Sequence, residues 1–399
     1  MATTFDIRDL ELNALLEITQ AINNNLSEKD LYKIYKFTLL GDLKVKRLAL
    51  FVNDDDEGWN CPIHFGTSED YSEISLDEQL VGIEEITYLN TGSIKSEEFE
   101  IAIPVYHKKS LLAIVLIGGL PEESQEDSTT FLKALTNIII VAIENKKLAR
   151  RQLQQEAYRK ELEIAKKVQN FLFPKSLPKS QKLNIEAVYL PHHDVGGDYY
   201  DYLSIDNDRF LICIADVSGK GVPAALLMSN FQASLRTLIR RTQNLYEIIV
   251  DLNHSTYLSG NAENFITFFV GIYDFNQSTF EYVNCGHNPL YLVNDKEVIL
   301  LNDGTTILGM FDPLPFLSTH KIENVRDFFF FGYTDGLTET FNRKEEQYGN
   351  EPIDQLLKKG MPDNLGTFHE YLLQDLDKFR EEESYRDDIT MISCRVKNI

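Results

Sequence analysis

A chain of 399 residues is too long for one ordinary hydrophobic core and implies two or three domains. Its 43% apolar and 25% charged residues mark a folded globular protein rather than a disordered one. The 62 acidic against 39 basic residues leave a formal charge of −23, which repels nucleic-acid backbones and anionic lipid. The same field repels a phosphorylated substrate unless cations offset it. The four cysteines, Cys61, Cys213, Cys285 and Cys394, form no CxxC pair, so zinc has little support, and buried thiols are expected for the three in or beside apolar runs. The start, MATTFDIRDL, has neither a basic nor an apolar leader segment, and the longest apolar run, Ile138 to Ile143, is far short of a membrane span. A cytoplasmic protein with no nucleic-acid or membrane partner is expected.

In chain order, residues 9 to 23 carry Leu12, Leu15, Leu16, Ile18 and Ile22 at helical spacing. Ser27 to Asp30 has the form of a capping box before a second helix with Leu31, Ile34, Tyr35 and Phe37. Leu48 to Val52 reads as a buried strand, and Asn53 to Gly58 as a turn. Residues 59 to 97 are polar with few strand signals. Residues 99 to 117 read as two strands about His107-Lys108-Lys109, and residues 131 to 143 return to helical spacing. This element order over residues 10 to 148 resembles a GAF domain, a small sensor module. The resemblance places a ligand pocket around residues 59 to 97, for an unidentified small-molecule or protein signal; a structural or dimerising role is the other reading. A GAF-like domain is expected over residues 1–145.

Residues 146 to 170 lack Gly and Pro and carry eight basic against three acidic residues, 8 − 3 = +5. Leu148, Tyr158, Leu162, Ala165 and Leu172 share one seven-residue register, interrupted by Arg151, Gln155 and Gln169. A helical linker over 146–180 with a weak parallel contact is expected, making a homodimer through linker and sensor; a solvated helix is the bland reading. Phe173-Pro174 and Leu177-Pro178 stop it.

From about residue 183 short apolar strands dominate: 185–190, 209–217, 266–275, 279–285, 290–293, 328–335 and 389–396. Two amphipathic helices, about 222–241 and 244–260, interrupt them. This predicts an α+β fold over 181–399, an αββα sandwich of stacked antiparallel sheets.

Acidic residues sit at the ends of these strands: Asp198 in VGGDYYD, with Asp201 three residues on, Asp216 in IADVSGKG, Asp335 in GYTDGLTE, and Asp387 and Asp388 in RDDIT. A carboxylate beside a buried strand is costly unless a positive group meets it. Carboxylates suit Mg²⁺ and Mn²⁺. Two such ions about 3.5–4 Å apart clamp a phosphoryl group and acidify a water. Gly196-Gly197 before Asp198, and Gly219 and Gly221 after Asp216, permit close backbone approach, and the Val217 carbonyl is a further candidate ligand. Any one of these alone is commonly a plain turn.

With the entry segment AKKVQNFLFPKSLP (165–178), VGGDYYD, ADVSGKGVPAAL, NCGHNPL, GYTDGLTE and RDDIT, the chain resembles metal-dependent phosphatases of the protein phosphatase 2C type, in the branch of bacterial sporulation and stress-response regulators. The resemblance implies a Ser/Thr phosphatase with two Mn²⁺ or Mg²⁺ ions. Asp216 would bridge both, Asp198 would hold one side, and Asp335 and Asp387 would hold the other ion, with Asp387 preferred to Asp388; Asp216 and Asp198 are the expected catalytic residues. It also implies a phosphorylated regulatory protein as substrate, of anti-sigma-factor-antagonist type, under control of the N-terminal domain. The arginine that many phosphatases of this fold place before the first aspartate is replaced by His192-His193-Asp194.

His287 in CGHNP is a catalytic acid or a turn residue that hydrogen-bonds backbone. Lys220 is a point charge for phosphate or a solvated turn residue. Arg386 is a further candidate to approach the site. No cysteine is followed by arginine at cysteine-phosphatase spacing, Ile214 stands where a Walker A glycine belongs, and His64 stands where an EF-hand needs glutamate. Two rivals remain: a nucleotide cyclase-like two-metal enzyme and a non-catalytic scaffold.

Overall fold

The computed structural model describes all residues except 1–3, 42, 55–57, 72–75, 77, 90–96, 120–124, 193–194, 261–263, 295–296 and 398–399. The chain divides into two compact units, Met1–Glu156 and Ala157–Ile399, with the division inside a long helix.

The first unit contains α1 (Thr4–Asn23), α2 (Glu28–Gly41), β1 (Arg47–Asp54), β2 (Gly58–Phe65), α3 (Glu78–Val81), β3 (Thr87–Tyr88), β4 (Ile101–His107), β5 (Ser110–Gly118) and the first part of α4 (Gln125–Asn170). Ser27 caps α2, its hydroxyl accepting from the Asp30 amide at 3.1 Å. The strands form one antiparallel sheet in the order β2-β1-β5-β4-β3. One face packs Leu48, Leu50, Ile103 and Val115 against Ile18, Tyr35, Leu135 and Ile139 of the helices. The other packs Phe51, Phe99 and Ile114 against Leu80 and Ile83 at α3. Strand β2 lies where the sequence reads as polar and weak. It is an edge strand, so Pro62 costs no ladder hydrogen bond on its free side. The expected turn over 53–58 joins β1 to β2 through residues 55–57, which lie outside the described residues, as do 90–96 of the expected pocket region.

The second unit continues with the end of α4, then β6 (Leu183–Leu190), β7 (Tyr199–Ser204), β8 (Arg209–Val217), α5 (Val222–Arg241), α6 (Leu245–Gly260), β9 (Ile266–Asp274), β10 (Thr279–Cys285), β11 (Leu290–Asn294), β12 (Glu297–Leu301), β13 (Gly304–Thr305), β14 (His320–Ile322), β15 (Phe328–Tyr333), α7 (Asp335–Thr338), α8 (Glu351–Leu357), α9 (Leu365–Arg380) and β16 (Ile389–Val396). One sheet runs β13-β10-β9-β8-β7, with β14 beside β10; the other runs β12-β11-β15-β16-β6.

Strand alternation explains the layering. In β8, Phe210, Ile212 and Ile214 enter the core between the sheets, while Leu211, Cys213 and Ala215 face α5 and α6. In β15, Phe330 stacks on Phe269 of the opposite sheet at 5.5 Å, while Phe329 and Phe331 meet Phe368 of α9 edge-on at 5.3 and 5.0 Å. The result is the expected α-β-β-α sandwich. Helices α8 and α9, which the sequence reading does not include, cover the second sheet as α5 and α6 cover the first. All four cysteines are free and buried. No helix among the described residues is long and apolar enough to cross a membrane.

Phe330 is fully buried between the sheets. Phe330→Ala is expected to cost about 4 kcal/mol of stability in urea unfolding; a loss under about 1 kcal/mol would contradict the packing described.

Candidate metal centre

Antiparallel pairing decides which strand ends meet. Tyr199 at the start of β7 pairs with Ala215 near the end of β8, and Tyr333 at the end of β15 pairs with Met391 near the start of β16. Asp198, Asp216, Asp335 and Asp387 therefore leave two sheets at the same end of the sandwich. Asp216 continues the alternation of Phe210, Ile212 and Ile214, so it lies on the inter-sheet side.

The carboxylates perturb one another. Asp198 is almost wholly buried. Its carboxyl is held well above the usual range by burial and then by the charges of Asp216 and Asp388; the Thr390 and Thr334 hydroxyls oppose the shift. Both hydroxyls donate to Asp198 Oδ2, at 2.6 and 2.8 Å. Asp216 is pushed up to about 7 by burial, then by Asp335, Asp387 and Asp388, against a hydrogen bond shared with Asp198. Burial also raises Asp335, followed by Glu339 and Asp387. Like charges crowded in a poorly solvated place define a site that calls for positive charge. Among the described residues, however, no three His, Cys, Asp or Glu side chains already stand close enough to close around an ion. The donor set fits a hard divalent cation in type and in convergence; closing on one requires side-chain movement.

The loop that presents Asp198 is clamped from two sides. Asp388 is buried, and its Oδ1 and Oδ2 accept from the backbone amides of His192 (2.7 Å) and Gly197 (2.8 Å). A Cβ on Gly196 would stand 2.1 Å from Asp388 Oδ2, so only glycine fits. From the other side, buried Gln169 at the end of α4 donates to the Gly196 carbonyl at 2.7 Å and accepts from its amide at 3.3 Å. Gln169, an interruption in the heptad register, is thus engaged within its own unit. So is neighbouring Leu172, whose carbonyl accepts from Gln232 and Arg236. Arg236 also pairs at 2.8 Å with Asp201, which is fully buried. The Val217 carbonyl lies against Gly197, 2.7 Å from where a Cβ would be.

Asp387, unlike Asp388, is half-exposed, and Lys220 pairs with its Oδ2 at 2.9 Å. Gly219 and Gly221, at φ 90° and 73°, adopt the left-handed conformation on either side of Lys220. Arg386 does not approach the carboxylates with its guanidinium, which pairs with Glu345 at 2.7 Å and stacks on Phe341 at 4.4 Å. His287 is buried and neutral, its pKa lowered to about 4 by burial. Its Nε2 donates to the Tyr333 carbonyl at 3.0 Å, and its Nδ1 accepts from Thr267 at 2.8 Å. It is a turn residue that fixes the end of β15 two residues before Asp335. Of the residues standing in place of the usual arginine, His192 is tied to Asp388 through its backbone; His193 and Asp194 lie outside the described residues.

Residues 206–397 match the family model described as Stage II sporulation protein E (SpoIIE). Phosphoserine phosphatase RsbU of Bacillus subtilis (strain 168) is 27% identical over 294 residues, 73% of this chain and 85% of RsbU. Phosphoserine phosphatase RsbP of the same organism is 27% identical over 244 residues, 60% of this chain and 58% of RsbP. Protein IcfG of Synechocystis sp. is 27% identical over 278 residues; the match takes in 62% of this chain and only 43% of that protein. The solved SiaA-PP2C domain of Pseudomonas aeruginosa superposes with a TM-score of 0.52 at 20% identity, covering 61% of this chain and 99% of that one, which shows the fold. The second unit therefore carries a phosphatase domain of the PP2C class. More particularly, its residues 206–397 are of the SpoIIE type, and the chain is similar to the phosphoserine phosphatases RsbU and RsbP.

Two outcomes follow from the clamp and the crowding. Gln169→Ala leaves a buried carbonyl and amide unpaired, an expected loss of about 2 kcal/mol in urea unfolding. Because the folded state holds Asp216 protonated up to about 7, it binds more protons than the unfolded chain between the ordinary carboxylate range and that value. Stability from this group therefore falls as pH rises through that window. Without divalent cations, Asp216→Asn should be more stable than wild type at pH 8, by on the order of 2 kcal/mol or more, with the gap narrowing as pH falls below about 7 and closing only near pH 4; a gap independent of pH would contradict this assignment.

Proposed function

We propose that this chain is a metal-dependent protein phosphatase that removes phosphate from serine or threonine of a regulatory protein. The observation that carries the reading is the convergence of Asp198, Asp216, Asp335 and Asp387 from four segments at one end of a two-sheet sandwich, with burial and neighbouring charge raising the carboxyls of Asp198, Asp216 and Asp335. The phosphoserine phosphatase names of RsbU and RsbP support the reaction class.

Asp216 would hold both of two Mn²⁺ or Mg²⁺ ions, Asp198 and the Val217 carbonyl one side, and Asp335 and Asp387 the other. Such ions neutralise phosphoryl charge and activate water at neutral pH. The chain's own part is placement. Thr334 and Thr390 fix the Asp198 carboxylate, Asp388 and Gln169 fix its loop, and His287 fixes the strand end before Asp335. These contacts hold donors in position before the substrate arrives, which lowers the reorganisation demanded during reaction.

The substrate reading, a phosphorylated anti-sigma-factor antagonist, rests on the regulator branch of the family. The N-terminal unit is read as a GAF-like sensor that controls the phosphatase; its five-stranded antiparallel sheet with helices on both faces supports this. A homodimer through the linker helix is supported by exposed Leu153, Tyr158 and Ile164 on α4.

Asp216→Asn is expected to lower Mn²⁺-dependent phosphate release from a phosphoserine protein by at least about 10³-fold while the fold persists by circular dichroism. Near wild-type activity in that variant would refute the proposal.

A further inference from the structure

An ammonium already occupies one of the carboxylates assigned to metal. Lys220 Nζ stands 2.9 Å from Asp387 Oδ2 and also donates to the Arg386 carbonyl. Positive-φ glycines, Gly219 and Gly221, flank it on both sides, and its side chain reaches the segment that leads into β16. The Arg386 guanidinium is engaged elsewhere, with Glu345 and Phe341, so it does not compete for the same carboxylate. The Lys220 charge also opposes the elevation of Asp335. Lys220 is thus the ammonium partner of one of the two acids proposed for the outer ion.

We propose that Lys220 is a built-in competitor for the cation that Asp387 would hold, so that ammonium and divalent ion exchange at this carboxylate and Lys220 sets the affinity of the outer metal position. The inference rests on the two-metal reading above. Its physical basis is twofold. An ammonium has three donors and no acceptor, so on Oδ2 it takes the lone pairs an ion needs. A neighbouring positive charge also repels an arriving dication. Both partners are half-exposed, at 46% and 47%, so the contact is weak enough to be displaced at attainable metal concentrations. The inner position, built on buried Asp198 and Asp216, has no such contact with Lys220 and should be indifferent to it.

The test is Mn²⁺ titration of the full chain, reading free Mn²⁺ by electron paramagnetic resonance, with no substrate present. Lys220→Met is expected to tighten the weaker class of sites on the order of tenfold and leave the tighter class unchanged. Lys220→Gln, equally uncharged, should behave the same way, and Lys220→Arg, which keeps the charge, should stay within about twofold of wild type. Superimposable or weaker Mn²⁺ binding in both uncharged variants, each folded by circular dichroism, would overturn the proposal. Asp216→Asn separates this from the reading beneath it: if that variant binds Mn²⁺ like wild type, the two-metal site itself is wrong. If it loses both classes while the uncharged Lys220 variants are unchanged, only the competitor role fails.

Discussion

Repulsion among carboxylates at one end of the β-sandwich is the constraint on which the rest of the second unit depends. Burying Asp198 and crowding Asp216 against Asp335, Asp387 and Asp388 costs folding free energy. The fold absorbs that cost by spreading it over rigid supports. The Phe-rich core between the sheets fixes the strand ends, the Thr334 and Thr390 hydroxyls meet one carboxylate, and backbone amides meet Asp388. Like charges crowded where water is scarce favour the binding of cations, which the proposed charge-neutralising catalysis would require.

The support has a hierarchy that follows burial. Asp198 and Asp388 are buried and hydrogen-bonded, whereas Asp387 is half-exposed, with Lys220 on Oδ2 and the Asp388 amide on Oδ1. In the proposed two-ion site, a buried, tethered carboxylate would make a stiff inner position, and a solvated one an adaptable outer position. Gln169 adds a mechanical link within the unit, because the last turn of α4 grips the two polar backbone groups of Gly196, two residues before Asp198. Any displacement of that helix end moves the Asp198 loop or breaks two buried hydrogen bonds.

Much of this was legible in the sequence where the signal was local. The continuous apolar runs RFLICIADV and FFFFGY reveal strands buried on both faces, and the acids at their ends stand out against them. What was hidden is non-local or atypical. Strand β2, with Asn60 and Pro62, lacks the usual pattern because an edge strand tolerates both. Helices α8 and α9 follow from the need to cover the second sheet, which becomes visible only once the strand pairing is known. Choosing Asp387 over Asp388 as a ligand left the structural work of Asp388 unforeseen; backbone amides over 190 residues away leave no trace in spacing. Thr334, Thr390 and Gln169 leave no such trace for the same reason, and Gln169 is one of three polar interruptions of the register, with Arg151 and Gln155, so its position alone does not single it out.

The central claim concerns where cations bind, so anomalous diffraction from crystals soaked in Mn²⁺ addresses it most directly. The account predicts two anomalous peaks in the space bounded by Asp198, Asp216, Asp335 and Asp387, with Asp216 within bonding distance of both, about 2.2 Å. Peaks confined to other surface carboxylates, with these four side chains left as they stand, would contradict it.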